Sequence, residues 1–314
     1  MTRVIYMGTP DFAVGPLKAL AEDSSYEVVL TVTRPDAPVG RKQILTPSPV
    51  KETAMEYGIS VFQPVNFKTG ENIEYLRRFG ADVMVVAAYG NILPEAVLDM
   101  VPFGCINIHA SLLPKYRGAA PIQWAIINGE EKTGVTIMKM DKGVDTGDII
   151  SQREYVIRPD ETGASLFDRL SVTGTELLMD TLPDIVSGKA GFIKQDETLA
   201  SKVGMIKKSD ALLDFSMTAS ELERRVRGFY GWPVAYTYLR GKSVKLHEAK
   251  VSESDFSGES GKVFISDGRV FVCCGKGSLE ILRLQPEGKK PLSASDCLNG
   301  RVIKEGDRFD SRIA

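Results

Sequence analysis

His109, one of two histidines in the chain, ends the apolar run Ile106-Asn107-Ile108-His109. Side chains alternate along a strand, so Asn107 and His109 project to the same face. Parallel α/β sheets bind ligands beyond the carboxyl ends of their strands, and the pair falls there. After the next apolar run, Val135–Met140, comes Asp141-Lys142-Gly143-Val144-Asp145-Thr146-Gly147-Asp148, an acidic loop expected at the same end of the sheet. An amide, an imidazole and a carboxylate gathered in this way fit an acyl-type transfer with no covalent protein nucleophile. The amide and the ring supply donors to an oxyanion, and the carboxylate orients or charges the ring. The plainer alternatives are a hydrogen-bonded structural His and a tight turn built from Asp and Gly.

Other chemistries are excluded by spacing. With Asp141 as the first position of a calcium loop, Thr146 stands where Gly is required and Gln152 where the bidentate Glu belongs. The first apolar run leads into Met7-Gly8-Thr9-Pro10-Asp11 rather than a GxGxxG turn, and neither GxxxxGK[ST] nor GxSxG occurs. Cys105, Cys273, Cys274 and Cys297 show no CxxC spacing. They are expected to be reduced, structural thiols, and no metal site is expected.

The elements that must position these residues follow from the apolar pattern. Short apolar runs at Val4–Met7, Val28–Val32, Val61–Pro64, Val83–Ala88, Cys105–His109 and Val135–Met140 alternate with helical patterns. The helices are expected near Asp11–Glu22, Val50–Tyr57, Glu71–Phe79, Glu95–Met100 and Ala120–Asn128, and a longer one, marked by Leu166 to Leu182, runs to about Ser187. This is the signature of an α/β fold with a mostly parallel sheet. Val83–Ala88, apolar throughout, should be a central strand covered on both faces. Period is lost around Thr198–Asp214. Beyond it, a helix at Ala219–Arg227 precedes five strand-like runs: Val234–Leu239, Ser243–Lys250, Gly261–Ile265, Val270–Cys274 and Leu279–Leu284. Five short strands suggest a small barrel, for which an OB-like fold is one candidate.

The expected domains are therefore residues 1–190, a linker 191–207, and residues 208–314. Residues 208–314 carry 18 Lys+Arg against 15 Asp+Glu, and residues 1–207 carry 21 against 26, which suits an acidic body with a basic appendage. Within the appendage, Arg224, Arg225 and Arg227 form one basic cluster and Lys289 and Lys290 another. No apolar run approaches the roughly 18 residues of a membrane span. The first strand begins too near the starting Met for a signal peptide, so a cytoplasmic location is expected.

Four segments carry a family resemblance: Gly8-Thr9-Pro10-Asp11-Phe12, Asn107 through Pro114, Tyr116-Arg117-Gly118-Ala119-Ala120-Pro121-Ile122-Gln123, and Gly134–Met138 through Asp145-Thr146-Gly147-Asp148. Over essentially its full length the chain resembles the folate-dependent formyltransferases. The resemblance implies a Rossmann-like catalytic domain, a linker and a C-terminal OB-like domain that binds tRNA. It implies Asn107, His109 and Asp145 as the catalytic group, with Ser111, Leu112, Leu113 and Pro114 lining the site of the donor, 10-formyltetrahydrofolate. The Asn-x-His pair and the downstream Asp identify the chemistry and are shared by relatives that formylate small amines. The acceptor, Met-charged initiator tRNA, is implied by the loop Pro35–Pro49, by Trp232-Pro233 and by the small barrel ending Leu284–Lys290. Arg41 and Lys42 are the expected tRNA contacts, on a mobile loop that orders on the acceptor stem. Two departures stand out. The family's basic Gly-Arg-Gly-Lys-Lys is the less basic Gly40-Arg41-Lys42-Gln43-Ile44 here, and its His-Gly-Ser is His109-Ala110-Ser111. No metal, membrane or protein partner is implied, and a monomer is expected.

Overall fold

Val83–Ala87 is apolar and buried at every position. It is the fourth strand of a sheet that, among the described residues, has seven. The computed structural model describes residues 1–40, 42–254 and 256–311. From one edge to the other the sheet runs Ile149–Val156, Lys132–Lys139, Cys105–His109, Val83–Ala87, Thr2–Gly8, Tyr26–Val32 and Val61–Phe62. The last five are mutually parallel, while Lys132–Lys139 is antiparallel to Cys105–His109 and Ile149–Val156 is antiparallel to it in turn. The mostly parallel α/β architecture and the central strand agree with the sequence pattern. The edge strand Ile149–Val156 was not anticipated.

The strand order reverses beside Thr2–Gly8, the switch point at which such sheets open a ligand crevice. Gly8 is required there, since a Cβ would lie 2.6 Å from that of Ala13. The hydroxyl of Thr9 donates to the carbonyl of Tyr89 at 3.0 Å, joining the loops that follow two adjacent strands. Helix Pro49–Glu56 starts at Ser48, whose side chain accepts from the Lys51 amide, with Pro at the first turn. The chain divides into two compact units. Met1–Pro121, Lys132–Val156 and Phe167–Val203 form the first; Ile122–Glu131, Ile157–Leu166 and Gly204–Ala314 form the second.

In the second unit a helix, Ala219–Gly228, opens with a reciprocal Thr218–Glu221 capping box. It precedes an antiparallel sheet in the order Val263–Ser266, Arg269–Cys273, Ser278–Pro286, Lys242–Val251, Tyr236–Leu239 and Phe309–Asp310. The two ends of this sheet meet. Val263 N donates to Asp307 O at 2.7 Å, and Phe309 N to Gly261 O at 2.8 Å. Register shifts at Leu246–Ala249 mark a bulge that bends the long strand. The result is a curled, OB-like antiparallel barrel.

Candidate active site

Asn107 and His109 leave one face of Cys105–His109 and are both buried. The loop Asp141–Asp148 does not start where a parallel strand would have put it. Lys132–Lys139 runs antiparallel, pairing Thr136 with His109 and Lys139 with Ile106, so the loop leaves from the amino-terminal side of the His strand. Asp145 reaches the pair by lying back across the face that Asn107 and His109 share. Its Oδ1 is 3.5 Å from Asn107 Nδ2 and its Oδ2 is 3.6 Å from His109 Nδ1. The Gly118 amide donates to Oδ2 at 2.8 Å.

The imidazole is held from its other side, with Nε2 3.0 Å from the carbonyl of Tyr116. A carbonyl only accepts, so Nε2 carries a proton and Nδ1 is the nitrogen presented to Asp145. At 3.6 Å that contact is an ion-pair distance rather than a hydrogen bond, which leaves Nδ1 uncommitted to the carboxylate. Asp141, singled out with Asp145 by charge, has a different task. Its Oδ1 accepts from Gly143 N at 2.9 Å and Thr146 Oγ1 at 2.6 Å, closing a turn.

Ser111, Leu112, Leu113 and Pro114 form the turn directly after His109. Thr136 Oγ1 donates to Ser111 O at 2.6 Å and accepts from Leu113 N at 3.1 Å, and Gln152 Nε2 donates to Leu113 O at 2.8 Å. Ser111 Oγ donates to Lys115 O, and Leu113 packs with Met138 and Ile149. The side chains of Ser111 and Leu113 are thus spent on the fold. Lys42 is exposed on a hairpin formed by Ala37–Val39 and Ile44–Thr46, outside the group around His109. Arg41 lies outside the described residues.

Sequence reasoning missed the side chains that fasten this group, namely Thr136, Gln152, Gln195, Glu197 and Ser201. The last three come from the segment after the long helix Gly163–Val186. Lys202–Val203 pairs with Arg117–Gly118. Ser201 Oγ accepts from the Tyr116 amide at 2.9 Å. All four cysteines are buried, and burial pushes Cys105 and Cys274 up to about 12, which makes them poor thiolate nucleophiles at neutral pH. Among the described residues no cluster of His, Cys, Asp or Glu could hold a metal ion, and no helix is long and apolar enough to cross a membrane.

A family model described as formyl transferase matches residues 2–182, and one described as formyl transferase, C-terminal domain, matches residues 205–302. A methionyl-tRNA formyltransferase of Agathobacter rectalis is 49% identical over 98% of this chain and 99% of its own length. One from Geobacter sulfurreducens is 46% identical over 98% and 96%. Among solved structures, an N-formyltransferase from Helicobacter canadensis, in complex with folinic acid and dTDP-3-aminofucose, superposes with a TM-score of 0.68. It is 19% identical and covers 91% of this chain and all of its own. HypX from Aquifex aeolicus in complex with tetrahydrofolic acid gives 0.62 at 16% identity, covering 99% of this chain and 51% of its own. These distant structures share the fold. Identity of 46–49% to curated relatives over 98% of the chain, together with the matched N- and C-terminal models, means that the chain belongs to the formyl transferase family.

Proposed function

We propose that Asn107, His109 and Asp145 carry the formyl transfer, from 10-formyltetrahydrofolate to the α-amino group of methionyl initiator tRNA, that supports translation initiation. The observation that carries this reading is one largely buried carboxylate shared between the amide of Asn107 and the ring of His109. The neutral amine attacks the formyl carbon, forming a C–N bond and moving the carbonyl π pair onto oxygen. Asn107 Nδ2–H and a proton on His109 Nδ1 stabilise that oxyanion. With both nitrogens of His109 protonated, the Asp145 carboxylate takes the proton lost by the amine and passes it to N10 of the folate as the C–N10 bond breaks and the carbonyl re-forms. Holding two large substrates together supplies much of the rate. No metal takes part in this scheme. The turn 111–114 lines the donor site. Arg41, Lys42 and the domain at 208–314 hold the tRNA, and the enzyme acts as a cytoplasmic monomer.

The test is steady-state formylation of Met-charged initiator tRNA by Asn107→Ala, His109→Ala and Asp145→Ala. Each should lose about 100-fold or more in kcat, with folate affinity little changed, because the lost partner belongs to the transition state. Turnover close to that of the unaltered enzyme at saturating substrate would remove that residue from the mechanism. Preference for an amino sugar nucleotide over the charged tRNA would overturn the acceptor.

A further inference from the structure

We infer that Gln195, oriented by the buried Arg117, is the positioning residue for Asp145. The inference rests on the reading of Asp145 as a catalytic group. Asp145 has φ +53°, a left-handed conformation that a non-glycine residue keeps only where its surroundings enforce it. The enforcing bonds come from Gln195, whose Nε2 donates to the carbonyls of Asp145 at 2.9 Å and Gly147 at 2.7 Å. Both bonds need the amide nitrogen on that side, and an isolated Gln could turn its oxygen there instead. Arg117 removes this freedom. Its Nε donates to Gln195 Oε1 at 3.0 Å, so the oxygen is fixed away from the loop.

Arg117 is itself only 1% exposed, and its two terminal nitrogens grip Glu197 at 2.9 and 2.7 Å. A bidentate guanidinium–carboxylate pair is rigid in direction, which a Lys in the same place would not be. The next residue along, Gly118, supplies the amide that meets the Asp145 carboxylate. Two adjacent residues therefore fix the two ends of Asp145: Arg117, through Gln195, its backbone, and Gly118 its side chain. Loss of Gln195 leaves the carboxylate present but free to drift from His109 Nδ1, and an error near 1 Å at a reacting group costs about 100-fold.

The experiment is a double-mutant cycle of Gln195→Leu with Asp145→Asn, and of Arg117→Lys with Asp145→Asn, assayed with charged initiator tRNA. Gln195→Leu alone should lower kcat about 10- to 100-fold with KM for both substrates unchanged. In the Asp145→Asn background the same change should cost almost nothing further, because its target is gone. Arg117→Lys, which keeps the charge and loses the fork, should follow the same pattern and decides the matter if Gln195→Leu does not fold. Additive losses, or a rise in KM at constant kcat, overturn the inference. Asp145→Asn with full activity instead overturns the catalytic reading of Asp145, a different result from an inert Gln195→Leu beside an impaired Asp145→Asn.

Discussion

Gly118 joins two functions in one backbone unit. At φ +101° it sits where a side chain is disfavoured, and a Cβ would come within 2.3 Å of the Val203 carbonyl. Its N–H meanwhile ends on Asp145. Gly118→Ala must push the chain off Lys202–Val203 and carry the donor with it, so kcat and thermal stability should fall together. A backbone forced into such a conformation costs about 1–3 kcal/mol; differential scanning calorimetry beside the formylation assay checks both, and a variant that loses neither refutes the double role. Asn107 and His109 were legible because strand alternation alone puts them on one face. Asp145 was legible as a carboxylate in a loop of the right neighbourhood, though the sequence suggested the wrong end of the sheet. Gln195 was not legible, since its meaning lies in two carbonyls about fifty residues away and a lone Gln in a polar stretch has no periodic signature.

At the level of elements, the unforeseen strand Ile149–Val156 shows where pattern reading stops. Its polar and charged residues Gln152, Arg153 and Glu154 disguise it, and only an edge strand tolerates them. Yet Gln152 is one of the two residues that tie down the turn after His109. The stretch Pro35–Pro49, expected as a mobile loop, contains a short hairpin whose base is fastened. Lys51 Nζ reaches Asp36 at 2.7 Å, Gln63 donates to Asp36 at 2.8 Å, and Thr33 and Ser48 share a hydrogen bond of 2.7 Å. Lys42 thus stands on a built projection. If it meets a phosphate of the acceptor stem, Lys42→Ala should raise KM for charged tRNA at constant kcat. It should also make the salt dependence of binding shallower by about 0.7–0.9 in log–log slope, the share of one phosphate contact. An unchanged slope in a filter-binding titration would exclude that contact.

For the whole molecule, charge lies unevenly. In the second unit the arginine cluster is engaged internally: Arg224 donates to Ile127 O, Arg225 to Asp210 O, and Arg227 to Glu161 O while pairing with Glu223. Lys289 and Lys290 remain exposed, as do Trp232 and Tyr230. These are the groups suited to RNA, by counterion release and by stacking. Binding of Met-charged tRNA should therefore weaken steeply between low and high salt while folate binding barely moves, and Lys289→Ala with Lys290→Ala should flatten the tRNA curve. Parallel titrations of the two ligands at several salt concentrations make the comparison, and an equal salt response for both would count against an electrostatic docking surface.

The pairing of Arg117–Gly118 with Lys202–Val203 also bears on the birth of the enzyme. A ribosome delivers His109 early and Asp145 soon after, yet the strand that seats Gly118 arrives only with Val203. Until that residue has cleared the exit tunnel, the nascent chain can hold most of its sheet and still lack a finished site. Long-range closure of this kind is slow relative to local structure. Newly made copies therefore close the strand pair that seats Gly118 only once Val203 has emerged.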